Sequence, residues 1–209
     1  MTPKITIRHI LPAVMIVAVM IIAVQTHARG FQITPFFGYR LGGDFKDAET
    51  EEEIEFGDDE SYGIILNVDY EENTELEFLY GYQGTELKPV DLFTGESFIG
   101  LGVHYLHLGG TYFWDYDWAK PFVASTIGVT ILDPHPGGLD SEVRFSLSIG
   151  GGVKLFASDH FGLRLEGRGF GTFFDGGGAV FCGEGGCTAI IESEVLVQFE
   201  FMAGLIFAF

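Results

Sequence analysis

The sequence predicts an all-β protein, an eight-stranded antiparallel transmembrane β-barrel arranged as an up-and-down meander. Three observations point there: a two-residue hydrophobic rhythm, 47% apolar residues beside a formal net charge of −19, and 30 glycines with 21 phenylalanines in 209 residues. An acidic soluble domain has little use for so much apolar surface, whereas a barrel turns apolar side chains to lipid and acidic ones to aqueous loops and lumen. Glycines serve where strands bend, and aromatics where strands meet headgroups.

The chain opens with a targeting segment. Lys4 and Arg8 give a positive start, Ile10 to Val24 an almost unbroken apolar run, and Thr26 and Ala28 a small-x-small cleavage site around His27. That run of about 15 residues falls short of the roughly 20 a spanning helix needs, and Pro12 interrupts it. The expectation is a signal peptide over 1–28 and an outer-membrane barrel domain over 29–209. No later apolar run reaches spanning length, so the mature chain must cross as strands.

From Phe31 onward the period is two. In the last segment Val195, Val197, Phe199, Phe201, Leu205 and Phe207 share one face, while Gln198, Glu200 and Gly204 interleave on the other. The segment before it sets Phe161, Leu163 and Leu165 opposite Arg164, Glu166 and Arg168. Read in order, strands are expected near 31–45, 61–71, 75–87, 98–114, 120–133, 143–157, 161–174 and 194–209. Their connections alternate between short and longer, the arrangement of bacterial barrels with short periplasmic turns. An even strand number leaves both ends on the periplasmic rim.

Closure follows from the charges on one face. The predicted inner set is Arg40, Asp69, Glu75, Glu77, Arg144, Lys154, Arg164, Glu166, Arg168 and Glu200, in which the two signs balance. A soluble sandwich must bury either this face or the apolar one. Burying unpaired charge is prohibitive, and the apolar face would leave a patch far larger than water tolerates. Lipid accepts the apolar face, and only a closed sheet pairs every backbone group in hydrocarbon. Balanced charges in a narrow lumen are expected to pair into a plug. A gated narrow pore is the alternative use of the same network. Tyr112, Trp114, Tyr116 and Trp118 mark one interfacial belt, and Tyr39, Tyr80 and Tyr82 the other.

The last residues, Gly204, Leu205, Ile206, Phe207, Ala208 and Phe209, are similar to the assembly signal of bacterial outer-membrane proteins. With the leader and the strand count, the chain resembles the small Gram-negative barrels of the outer-membrane protein A, X and W type. The resemblance implies insertion by the barrel-assembly machinery, with Gly204, Phe207 and Phe209 as its signal. No peptidoglycan-binding domain is recognised after the barrel.

Other candidate chemistry lies in the connections. Glu51, Glu52, Glu53, Asp58, Asp59 and Glu60 offer carboxylate oxygens to divalent cations bridging to lipopolysaccharide or to a surface or envelope protein partner. They lack the ligand spacing of a calcium loop, and a solvated loop is the plainer expectation. Cys182 and Cys187 flank a glycine-rich tip and suit a disulfide in an oxidising compartment. Zinc would need further ligands, and no metal or other cofactor is expected. Nucleic acid is excluded as a partner by the absence of a basic patch. His104 and His107 are the candidate bases for a lipid A-modifying enzyme, but position 106 is Leu, where a serine two residues on would be needed. The expected function is therefore non-enzymatic: a barrel with acidic, disulfide-tipped loops for surface interaction or envelope integrity. A narrow porin-like channel or carrier for small solutes is the alternative.

Overall fold

A computed structural model describes residues 30–42, 44–46, 53–55, 57–87, 99–135, 141–174, 179–183, 186–190 and 195–209. The leader expected over 1–28 and the carboxylates Glu51 and Glu52 lie outside the described residues, as do the side chains of Glu53, Cys182 and Cys187.

Eight strands form a closed barrel: β1 (Phe31–Leu41), β2 (Asp59–Glu71), β3 (Thr74–Leu87), β4 (Ile99–Phe113), β5 (Ala119–His135), β6 (Glu142–Ser158), β7 (Phe161–Phe173) and β8 (Val195–Ala208). Each pairs antiparallel with the next in sequence, and β1 closes on β8. Alternation in the sequence becomes alternation of faces. On β8, Leu196, Gln198, Glu200, Met202 and Ile206 are buried, while Val197, Phe199, Phe201 and Leu205 are 50–64% exposed. A wall of exposed phenylalanine is tolerable only against hydrocarbon.

Short turns join β2 to β3, β4 to β5 and β6 to β7. Asn73 takes the first with φ of 66° and Asp117 the second with φ of 47°, the left-handed conformation that Asn and Asp accept more readily than other side chains. These turns share a rim with both ends of the barrel. There Phe31 N–H donates to the Phe209 carbonyl at 3.2 Å, and Phe209 N–H returns the bond at 2.9 Å. The opposite rim carries the longer connections. Two of them contain hairpins, Asp44–Lys46 with Glu53–Glu55 and Ala179–Gly183 with Gly186–Ile190.

The structure refines the expected boundaries. The first strand ends at Leu41 rather than near 45, where its register with Phe199 of β8 runs out, and Gly42 N–H turns to the Asp58 carboxylate at 2.8 Å. Along the β1–β8 seam the paired residues pass from Ile33 with Phe207 to Phe36 with Gly204. Between them sits Pro35, which brings no N–H to the ladder.

Inside the barrel, two layers stack along the axis. Toward the long connections the lumen is apolar, filled by Leu101, Val103, Leu132, Leu196 and Phe174, each at most 6% exposed. Below lies a layer of charged and hydroxyl side chains. Eight strands leave a bore that side chains alone can fill.

Candidate functional site

The charged layer is built on β7, whose alternate residues Arg164, Glu166 and Arg168 all point inward. A two-residue period puts opposite charges next to one another on a single face. Glu77 reaches them across the lumen from β3. Arg164 donates from Nη2 to Glu77 at 2.8 Å and from Nε to Glu166 at 2.7 Å. Arg168 donates from Nη2 to Glu77 at 2.6 Å and from Nε to Glu166 at 2.8 Å. Two guanidiniums and two carboxylates thus close a ring, and their side chains are 0–1% exposed.

Neutral residues complete the ring. Thr111 donates its hydroxyl to Glu77 at 2.8 Å, Asn67 links Glu77 to Arg164, and Ser148 accepts from Arg168 at 3.3 Å. Sequence reading missed all three, because a lone Thr, Asn or Ser on a strand has no distinguishing pattern. It also missed the use of glycines on β6. A Cβ at Gly150 would stand 2.6 Å from the Glu166 carboxylate, and one at Gly152 would collide with the Leu165 carbonyl oxygen. Both sites must stay bare for Glu166 to lie against β6.

A second group lies toward the short-turn rim, where Lys154 donates to Glu75 and to Gln32, and Gln32 donates to Glu75 at 2.9 Å. A third lies above the ring. Arg40 donates to Glu200 at 2.9 Å, with its guanidinium carbon 4.7 Å from the Tyr105 ring centroid and 5.1 Å from that of Phe170. Stacking on aromatic faces offsets part of the cost of burying this cation. Tyr105 donates to Gln198 at 2.7 Å. Within the same lumen His107 is held at both ring nitrogens, by Thr126 at 2.9 Å and Ser146 at 2.8 Å.

Of the ten predicted inner residues, the structure brings Arg40, Glu75, Glu77, Lys154, Arg164, Glu166, Arg168 and Glu200 into these buried groups. The other two sit near the rims. Arg144 pairs with Glu142 at 2.7 Å beside Phe174, and Asp69 is half-buried next to Gly30.

Outside the lumen, Asp58 caps Gly42, and Asp59 accepts the backbone N–H of Glu60 at 2.8 Å. Among the described residues no group of three or more His, Cys, Asp or Glu side chains is placed to hold a metal ion. Cys182 and Cys187 are backbone partners across the second hairpin. At the assembly-signal end, Gly204 faces inward, where a Cβ would meet Thr34 and Phe36. The Phe207 ring packs edge-on against Phe161 at 5.8 Å, and Phe209 is 75% exposed.

The sequence matches the outer membrane protein β-barrel domain family over residues 14–182. Its fold is similar to that of Neisserial surface protein A, with a TM-score of 0.60 and 11% identity over 85% of this chain and 96% of that one. It is similar also to the outer membrane protein OprG of Pseudomonas aeruginosa, at TM-score 0.54 and 11% identity over 88% and 97% of the two chains. A third likeness is to outer membrane protein AlkL in lipid bilayers, at 0.55 and 10% over 88% and 91%. At such identity these likenesses concern the fold alone. No curated protein matches the sequence.

Proposed function

The chain belongs to the outer membrane protein β-barrel domain family, and from that premise we propose a non-enzymatic, non-conducting barrel that holds its long connections at the cell surface. Family membership implies the bacterial outer membrane. The role of the barrel would be mechanical and topographic: a rigid pedestal for surface interaction or envelope integrity.

One observation carries this reading. The ring of Glu77, Glu166, Arg164 and Arg168 leaves its charges 0–1% exposed in mid-lumen, so a hydrated ion has no wet route past it. The apolar layer of Leu101, Val103, Leu132 and Leu196 above it is a second barrier. Buried ion pairs of this kind hold one strand register against others, because a slip would strand a charge.

The pedestal is delivered by the cleaved leader over 1–28 and inserted through the Phe207 and Phe209 signal. The stretch of sequence that carries Glu51, Glu52, Glu53, Asp58, Asp59 and Glu60 would attract divalent cations and through them lipopolysaccharide or an envelope protein. A disulfide between Cys182 and Cys187, backbone partners in that hairpin, would pin the loop tip. The lipid A-modifying reading finds little support. His107 is 1% exposed with both nitrogens engaged, and His104 is hydrogen-bonded to Tyr80.

Planar bilayers test the proposal. Purified mature protein is expected to insert without steady openings. Steady openings that change when Glu166→Gln is introduced would establish the narrow channel instead. An altered lipid A mass spectrum in cells expressing the protein would reinstate the enzyme.

A further inference from the structure

The seam between β1 and β8 is the one junction of the barrel whose strands are not consecutive in the chain. A hairpin's register is fixed by its turn, whereas at this seam it must be read from the strands themselves. Backbone bonding is interrupted there too. Phe31 and Phe209 exchange both backbone bonds, and the two-residue repeat of an antiparallel ladder puts Pro35 and Leu205 in the same kind of pair, where Pro35 has no N–H to give. A one-residue slip is excluded because it turns the lipid-facing set inward. A two-residue slip keeps both faces, so only the inward side chains distinguish it.

Those side chains alternate in size across the seam. In one row of register partners Gly204 of β8, Phe36 of β1, Gly63 of β2 and Gly81 of β3 stand side by side. The Phe36 ring lies over bare backbone: a Cβ on Gly63 would be 2.6 Å from its Cζ, and one on Gly81 3.7 Å from the same atom. On the other side, a Cβ on Gly204 would be 3.1 Å from the Phe36 Cβ and 2.7 Å from Thr34 Cγ2. The next row reverses the arrangement. There Gly38 of β1 faces Met202, and a Cβ on Gly38 would be 3.2 Å from the Met202 Cβ. Large thus faces bare in both rows. A two-residue slip in one direction sets Phe36 against Met202, and in the other it sets Phe36 against Ile206 and Gly38 against Gly204. The first crowds two large side chains into a place fitted for one. The second adds a void beside the crowding, and a close-packed interior is destabilised by both.

We infer that Phe36, seated against Gly204, Gly63 and Gly81, is the register key that selects the native closure of the barrel. Arg40 and Glu200 also lose their register in such a slip, but long flexible side chains can follow a displaced partner, and a ring held against backbone cannot. Gly204, expected from the sequence as part of an assembly signal, is in the folded chain the socket of that key.

Cysteine trapping tests the key. The barrel domain, residues 29–209 with Cys182→Ser and Cys187→Ser, is refolded into detergent, where no assembly machinery acts, and oxidised with copper phenanthroline. Phe37→Cys with Ala203→Cys reports the native register, because these outward residues are partners. Phe37→Cys with Phe201→Cys, or with Leu205→Cys, reports a two-residue slip in either direction. In the native register those pairs are diagonal neighbours about 7–8 Å apart, beyond disulfide reach. With Phe36 in place the native pair is expected to trap almost completely and the slipped pairs hardly at all. Phe36→Ala is expected to raise trapping of the slipped pairs roughly tenfold, the scale of one relieved packing clash. Leu132→Ala, equally buried but on β5 and away from the seam, is expected to leave the ratio unchanged. Heat-modifiable migration confines the count to folded barrels, and Phe36→Leu carries the test where Phe36→Ala does not fold. An unchanged ratio in the folded Phe36 variants, or an equal rise in Leu132→Ala, would overturn the key.

Discussion

Glu77 accepts from two arginines, a threonine and an asparagine, which makes it the residue on which the lumen most depends. Glu77→Ala removes one carboxylate and leaves two guanidiniums buried with half their counter-charge. The expected loss is about 3–5 kcal/mol, measured as the shift of the urea midpoint for unfolding from lipid vesicles. Replacing Arg164 and Glu77 together by Met and Leu is expected to cost less than Glu77→Ala alone, because the pair then leaves without an orphan. His107 is a milder case. His107→Phe keeps the ring volume but strips Thr126 and Ser146 of a partner, at about 1–3 kcal/mol in the same assay.

Among the elements, β6 and β7 act as one unit in which glycine on one strand makes room for charge on the other. Gly152→Val is expected to disrupt this pair more than Gly151→Val. The first pushes a branched side chain into the Leu165 carbonyl and Glu166, whereas a Cβ at Gly151 meets the Phe122 carbonyl at 3.3 Å and otherwise faces lipid. The fraction migrating as folded barrel after refolding measures the difference. This dependence explains what sequence reading reached. Strand identity and facing were legible from the alternation of Arg164, Glu166 and Arg168 with Leu163, Leu165 and Gly167, because period two is a local property. Which charges meet was not legible, since Glu77 joins β7 across the bore and only closure brings them together. The ends of strands were blurred for a related reason. At Leu41 the strand stops where its partner's register ends; the Gly42-Gly43 pair that follows is a turn signal, which the two-residue alternation on either side outweighed.

For the molecule as a whole, the proposed seal rests on two different materials in series, an ionic ring and an apolar layer. Neutralising the ring by Glu77→Gln with Glu166→Gln is therefore expected to leave planar bilayers silent, because Leu101, Val103, Leu132 and Leu196 still close the bore. Widening both layers, with Leu101→Ala and Leu132→Ala added, is expected to produce openings if the chain still folds. Folding is read independently by heat-modifiable migration. The order of these outcomes tests the two-barrier picture, since openings from the double glutamine variant alone would leave the apolar layer no sealing role.

The reciprocal hydrogen bonds between Phe31 and Phe209 also govern timing. β1 finds its partner only when β8 reaches it, so during insertion the cylinder has no closed intermediate and stays open-sided until the last strand is laid down. Because the two ends meet on one rim, a short linker joining them, with a new start cut into the Glu72 turn, should yield on refolding into detergent, where no assembly signal is read, a circularly permuted barrel in which another pair of strands is the last to join.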